Sequence, residues 1–345
     1  MRETTASSCS STHAAPASLG DSLPWPVEVR PAGALGNGLF LGNGTAAGRG
    51  DVVLQEHPLI FHCLPEGRLC TGCRCKHITT TCSHCAAAFC SQECRDRTWR
   101  LWHGVACNNE LVDRASRFCD GVEAYGGVKV HEPWLAGMGM FKMMLSLLSA
   151  AGRGAEEFQD LLSFYTSLSP SKLNLLHVTK DNVLRSWVRC LYKYWLELLK
   201  VPEYALAASL VKQANLDTLE VLYRWVAVWD TYCQNSGLLR VSGYCNHSCR
   251  PNVAVYDTGF GDGVNLPQRL VAVRPLDAGE QLFITYVDPC LEVADRREAL
   301  AYYDIPCCEC ERCAADVGLL IEELEVLQPG RPHLKAVEFC LSQLD

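Results

Sequence analysis

Residues 246–252 read Asn246-His247-Ser248-Cys249-Arg250-Pro251-Asn252, polar and turn-forming positions set between Gly237-Leu238-Leu239 upstream and Val253-Ala254-Val255 downstream. Asn246 and His247 carry amide and imidazole groups able to hold a ligand. Pro251 fixes its own φ and biases Arg250 towards extended geometry, so the segment is a rigid turn. Cys249 is a candidate metal ligand. Further along, Gly279-Glu280-Gln281-Leu282-Phe283-Ile284-Thr285-Tyr286 reads as a turn, a strand and a terminal tyrosine. Cys308-Glu309-Cys310-Glu311-Arg312-Cys313 follows. Its three thiols need a fourth ligand for tetrahedral zinc, and Cys249 can supply it.

In this order the three pieces resemble the SET domain of protein lysine methyltransferases. The first is similar to that family's NHSCxPN signature, the second to its GEEL-type motif, the third to its post-SET zinc site. An Asn-His pair alone would read as a polar turn. The resemblance implies an α+β fold of small sheets and gives Tyr286 the central catalytic role. It implies that Asn246 and His247 hold S-adenosylmethionine, and that Cys249, Cys308, Cys310 and Cys313 clamp the post-SET segment around one zinc. Cys307 abuts this pattern, so the register is Cys307 or Cys308; Cys308 restores the family spacing.

Composition sets bounds. A chain of 345 residues can bury a sizeable core and suggests two or three domains. No run approaches the apolar length of a membrane span, so none is expected. The net charge is −8, from 31 basic and 39 acidic residues, which argues against a protein that mainly grips phosphates. The 21 cysteines are clustered as CxxC, CxxxC and CxCxxC. That spacing favours metal over disulfides and points to a reducing cytoplasm or nucleus.

Residues 1–26 are rich in Ser, Thr, Ala and Pro and read as a disordered tail. A transit peptide fits less well, since Arg2 is the segment's one Arg and it has no Lys. Val27 to Arg30, Gly36 to Leu41 and Val52 to Glu56 read as short strands of a meander. The glycines raise a dinucleotide-binding alternative, but Gly42-x-Gly44 is followed by Gly48, one residue off the GxGxxG spacing, with no helix pattern after it.

Residues 70–107 form the second strong signal: Cys70-x2-Cys73, Cys82-x2-Cys85, Cys90-x3-Cys94 and His103-x3-Cys107. Eight ligands in four pairs suffice for two closed zinc sites, though spacing alone does not show which pairs share an ion. Residues 91–106 suit a helix, and i, i+4 spacing puts the donors of Cys90/Cys94 and of His103/Cys107 on one face. Trp99 and Trp102 are expected to pack the module's small core, which needs metal to fold. Cys75, His77 and His84 are read as bystanders. The pattern resembles a MYND finger, and the HxxxC ending argues against a RING order. That resemblance implies interleaved pairing, with Cys70, Cys73, Cys90 and Cys94 on one ion and Cys82, Cys85, His103 and Cys107 on the other.

A MYND finger between an early glycine strand and a late NHSC motif is similar to the SET-and-MYND (SMYD) layout, over residues 27–313. There the Gly-Asn-Gly turn contacts the cofactor, which makes Gly36 and Asn37 cofactor contacts here. Trp134 to Asp230 has helical periodicity and looks like that family's insert, with Pro170 and Pro202 as punctuation. Many relatives carry an Asn-Ser-Phe-like triplet before NHSC; Asp230-Thr231-Tyr232 stands in that place. An acidic residue there either hydrogen-bonds the cofactor or weakens its binding. Val253–Tyr256, Arg269–Val273 and Gln281–Tyr286 read as strands, with a Gly-rich loop at 259–263. Val293 to Tyr303 reads as a helix with Arg296 and Arg297 exposed. Tyr303 or Ile305 lines the cofactor pocket. Residues 317–327 form an acidic amphipathic stretch, and the chain lacks the length of the family's C-terminal helical domain, so a more open cleft is expected.

The expected organisation is a tail (1–26), the N-terminal part of a split SET domain (27–69), the finger (70–107), the helical insert (108–236), the SET core (237–288), the post-SET segment (289–316) and a short helical tail (317–345). The expected function is transfer of a methyl group from S-adenosylmethionine to protein lysines, histone or not. The finger, by resemblance, is a module for proline-rich peptides. A monomer with three Zn2+ ions and no nucleic-acid partner is expected. The alternative is a MYND adaptor whose SET fold is inactive or only binds cofactor. A metal-dependent hydrolase fails because each cysteine cluster looks closed.

Overall fold

The structure is a computed structural model that describes residues 27–61, 69–73, 75–234, 237–256 and 268–316. The tail 1–26, the Gly-rich loop at 259–263 and the stretch 317–327 lie outside the described residues.

Strands Val27–Pro31 and Asn37–Leu41 form an antiparallel hairpin, with Val27 opposite Leu41. Its second strand pairs with Gln281–Ile284, which in turn pairs in parallel with Asn246–His247. The register sets Phe283 opposite Asn246 and Ile284 opposite His247. Two motifs far apart in sequence therefore lie side by side in one four-stranded sheet. A second sheet orders Val253–Tyr256, Gln268–Ala272 and Val52–Glu56. A third joins Ile60–Phe61, Gly237–Leu238 and Cys233–Gln234. Leu39, Leu41, Val53, Leu54, Leu270, Leu282 and Ile284 close a shared β core. The period-2 burial of Leu282 and Ile284 fixes the register, since a one-residue slip would turn both outward. The expected strand 281–286 ends at Ile284, so Thr285 and Tyr286 leave the sheet.

The helical body is built on Leu135–Arg153, whose side chains are buried almost all round. Ala155–Ser167, Ala205–Gln213 and Leu219–Tyr232 pack against it. Lys172–Lys180 and Asn182–Leu198 complete the layer. By length and composition Leu135–Arg153 could cross a membrane, but 83% of that window is buried inside the protein, so it is the core helix of this body. Within the stretch read as helical from Trp134 to Asp230, the last part is broken, because Asn215 adopts φ 55° and residues 214–218 turn the chain. Asn enters the left-handed region more readily than most side chains, which is why the break falls there.

In the finger, the expected helix over 91–106 runs as Gln92–Thr98, a wide π-type turn Trp99–His103, and Gly104–Ala106. The Ser91 side chain caps it by accepting from Cys94 N–H at 3.0 Å. The expectation that Trp99 and Trp102 fill the finger's own core is corrected. Trp102 packs into the helical body, with the Lys142 ammonium 4.5 Å from its ring centre, and Trp99 is 40% exposed. The wide turn carries Trp102 away from the sulfur cluster towards Leu135–Arg153. A second correction concerns the helix Val293–Ala301: Arg296 is 1% exposed, not solvent-facing. It pairs with Asp316, whose carboxylate supplies the negative charge that a buried guanidinium requires, and donates to Cys313 Sγ at 3.6 Å.

Candidate active site and metal centres

The parallel pairing of Asn246–His247 with Gln281–Ile284 builds the site. The Gly36–Asn37–Gly38 turn comes against it from the hairpin. Gly36 sits at φ 75°, a left-handed conformation that glycine adopts without strain. A Cβ on Gly38 would come within 2.5 Å of Gln281 Nε2 and 3.0 Å of Asn246 Nδ2. This close approach lets Asn246 Nδ2 donate to the Asn37 carbonyl at 3.0 Å. Gly36, Asn37 and Asn246 thus meet at one place, open to solvent on one side. Gln281 Nε2, buried beside them, has no hydrogen-bond partner and is a donor in reserve.

His247 is buried and its ring is fully engaged. Nδ1 accepts from Tyr286 N–H at 3.0 Å, and Nε2 lies 3.2 Å from Cys249 Sγ. Burial, then the nearby Arg296 charge, hold its pKa down at about 4, so the ring is neutral. Any cofactor contact from His247 therefore comes from its main chain.

Tyr286 leaves the strand end and turns its hydroxyl onto the Cys245 carbonyl, to which it donates at 2.6 Å. Burial pushes its pKa above the ordinary phenol value, so the hydroxyl stays protonated and keeps its lone pairs free to accept. Its ring centre lies 5.3 Å from His247 and 5.0 Å from Tyr303. Tyr303, one of the two lining candidates, thus joins an aromatic wall that Tyr302 continues at 5.3 Å. Asp230, at the end of Leu219–Tyr232, is close enough to raise the pKa of Tyr302, after burial. Its own carboxyl is pushed up to about 7 by burial.

Two functional side chains escaped the sequence reading. Asn252, 2% exposed, accepts from Phe283 N–H and donates to the Gln281 carbonyl, both at 2.7 Å. It pins the end of the turn to the neighbouring strand. Glu56, 5% exposed, accepts from Val241 N–H at 3.0 Å and Ser242 N–H at 2.6 Å. It anchors the turn Ser242–Tyr244 that delivers Cys245 and Asn246. One signal was present: Glu56 lies two residues after Leu54, on its buried face.

Among the described residues three clusters could hold metal: Cys70, Cys73, Cys90 and Cys94; Cys82, Cys85, His103 and Cys107; and Cys249, Cys308, Cys310 and Cys313. Within each, the donor atoms lie within 4.8 Å of one another. Sulfur pairs stand at 3.5 Å (Cys70–Cys94), 3.4 Å (Cys73–Cys90), 3.6 Å (Cys82–Cys107) and 3.4 Å (Cys249–Cys313). A disulfide would need about 2.05 Å, whereas sulfurs around a tetrahedral zinc stand about 3.8 Å apart. The observed spacing suits the second case. Cys85 Sγ lies 3.5 Å from His103 Nε2, and burial followed by the Lys142 charge keep that imidazole below its ordinary pKa, in the neutral form that ligates. The interleaved grouping matches that implied by the MYND resemblance, and Cys308 rather than Cys307 joins the third cluster.

Residues 177–287 match the SET domain family model. The chain is 26% identical over 329 residues to the human histone-lysine N-methyltransferase SMYD3, covering 91% of this chain and 68% of that protein. It is 24% identical over 297 residues to the Mus musculus protein-lysine N-trimethyltransferase SMYD5, covering 73% and 70%. A solved SET domain, that of LSMT bound to lysine and AdoHcy, overlaps 78% of this chain and 51% of its own at 15% identity and TM-score 0.33, too loosely to carry an argument.

Proposed function

We propose that the chain is an SMYD-type SET-domain protein and that it transfers a methyl group from S-adenosylmethionine to lysine side chains of proteins. The observation that carries this reading is the Tyr286 hydroxyl. It is fixed on the Cys245 carbonyl, inside an aromatic wall, next to the junction of Asn37 and Asn246. The residues present suit the cofactor. The glycine turn brings backbone close to Asn246, and Gln281 Nε2 offers an unspent buried donor.

When bound, S-adenosylmethionine supplies an electrophilic methyl group on a sulfonium. Gly36, Asn37, Asn246 and the main chain of His247 would hold it. Tyr286 accepts an N–H of the target amine and so orients its lone pair. The phenol stays neutral, which suits it to orienting rather than to acting as base. A lysine amine, with pKa near 10.4 in water, loses its proton more readily in a narrow apolar site. The faces of Tyr286 and Tyr303 can hold the cationic product.

Each of the three clusters takes one structural Zn2+ in this reading, two in the finger and one in the post-SET segment. With four protein ligands each, the ions have no open position, and methyl transfer does not pass through them. The finger serves as a docking module for proline-rich peptides, and the exposed Trp99 beside His84 supports an aromatic surface for that purpose. The protein acts as a monomer in the cytoplasm or nucleus, where its many thiols stay reduced.

The test is calorimetric titration of zinc-loaded protein with S-adenosylmethionine, beside Asn246→Ala, followed by a methylation assay on cell extract with Tyr286→Phe as control. Binding lost in Asn246→Ala and methyl transfer lost in Tyr286→Phe support the reading. No binding by protein with full zinc would overturn it and leave the finger's adaptor role as the function.

A further inference from the structure

Two donors reach the Cys249–Cys313 sulfur pair from different sides. His247 Nε2 lies 3.2 Å from Cys249 Sγ, and Arg296 donates to Cys313 Sγ at 3.6 Å. The direction of the first bond follows from the other ring nitrogen. Nδ1 accepts from Tyr286 N–H and so bears no proton, which leaves Nε2 as the ring's donor, aimed at sulfur. Arg296 is buried, also donates to the Leu291 carbonyl at 2.6 Å, and is paired with Asp316. Four thiolates around one dication leave an excess of negative charge, and a buried guanidinium needs such a counterpart. Asp316 and the sulfur cluster together therefore offset the buried charge of Arg296.

His247 is a different kind of neighbour. It touches the sulfur of a metal ligand with one nitrogen and the main chain of Tyr286 with the other. Tyr286 has left its strand, so that bond is a main-chain anchor on the far side of its hydroxyl's bond to Cys245. We propose that His247 is a positioning residue that makes the order of the post-SET metal site a condition for the placement of Tyr286, while Arg296 steadies the same sulfur pair without touching the tyrosine. Outer hydrogen bonds to metal ligands commonly change metal affinity or activity by about 10–100-fold. The catalytic half of the proposal rests on the methyltransferase reading; the metal half does not.

The experiment compares full-length, zinc-loaded protein with His247→Ala and Arg296→Met. Zinc per chain is followed after timed exposure to a chelator. The thiolate-to-metal absorption of cobalt-loaded protein is recorded, and kcat and KM are measured with zinc in excess. Both variants are expected to release the post-SET ion about ten-fold faster, with the finger's ions retained, and to shift the cobalt spectrum. With zinc restored, Arg296→Met should regain methyl transfer. His247→Ala should stay about ten-fold down in kcat, with KM for the cofactor within about two-fold. If His247→Ala does not fold, His247→Gln replaces it, and the same readings apply. Wild-type zinc release in the His247 variant, or wild-type kcat once it is metal-replete, would overturn the proposal. If the unmodified protein transfers no methyl group, the function reading falls, and zinc release and the cobalt spectrum still decide whether His247 serves the metal site.

Discussion

The Asn252 carboxamide stands in for a strand neighbour of Phe283: its oxygen takes the Phe283 N–H while its nitrogen gives to the Gln281 carbonyl. Both main-chain groups flank Leu282, which is fully buried. Asn252→Ala leaves two partly buried main-chain groups unpaired, an expected cost of about 2–4 kcal/mol. A lowered melting temperature checks this. Asn252→Asp should be at least as damaging, since it sets a carboxylate against the Gln281 carbonyl and Glu280.

The Tyr286 hydroxyl is the smallest change that separates chemistry from folding. Tyr286→Phe removes one hydrogen bond, to the Cys245 carbonyl, worth about 1 kcal/mol of stability. Methyl transfer should fall by about 10²-fold or more, as when a positioned donor is removed from other active sites. Cofactor affinity by calorimetry should stay within about two-fold.

At Gly38 the space is already taken. Gly38→Ala drives a Cβ to 2.5 Å from Gln281 Nε2 and 3.0 Å from Asn246 Nδ2, so both side chains must move. The bond from Asn246 to Asn37 should break, and cofactor affinity should weaken by about ten-fold, measured by titration. Ala32 Cβ, also 3.0 Å from the added methyl, cannot swing away, so the melting temperature should fall as well.

Metal removal should act unevenly. The finger's apolar cluster consists largely of its own cysteines and Phe89, too little to hold a fold without ions. A chelator should expose residues 70–107 to protease while the helical body stays protected. Cys94→Ser, at a buried ligand position, should lower zinc by about one ion per chain.

Asp230 provides a pH test. Burial pushes its carboxyl from the ordinary 3.8 up to about 7, so the folded state holds its proton more tightly than the unfolded chain. Stability is therefore lost as pH rises from the lower value through the higher, and the full cost is present at pH 8. Asp230→Asn escapes it and should be more stable at pH 8, on the order of 2–4 kcal/mol. Denaturant unfolding at that pH measures the difference. Lower stability in the variant would mean that the carboxylate has a partner in the folded state.

Much of this protein was legible in its residue order because its chemistry is local. Cysteine pairs at helical and turn spacing mark candidate metal sites, since the ligand geometry must be met within a few residues. Gly36-Asn37-Gly38 and the 246–252 stretch likewise carry their turn residues in plain view, and the period-2 and helical apolar patterns place most elements. Helix Leu135–Arg153 lies inside the stretch Trp134 to Asp230 whose periodicity reads as helical.

Other features depend on which surfaces meet. Trp102 reads as a finger residue, yet the wide turn at 99–103 hands it to the helical body. Arg296 sits in a charged helix and reads as solvent-facing until the sulfur cluster folds against it. Glu56 reads as an ordinary strand-end charge, and the main-chain donors at Val241 and Ser242 make it an anchor. Residue order alone displayed the cysteine pairs, the turn residues and the 246–252 and 279–286 motifs, because these follow from spacing along one segment. Only the tertiary structure decided that His247 faces a metal ligand and the Tyr286 amide at once, because that contact depends on a parallel strand pairing between segments nearly forty residues apart. Such long-range register is set by the packing of a whole core and is written in no single stretch of chain.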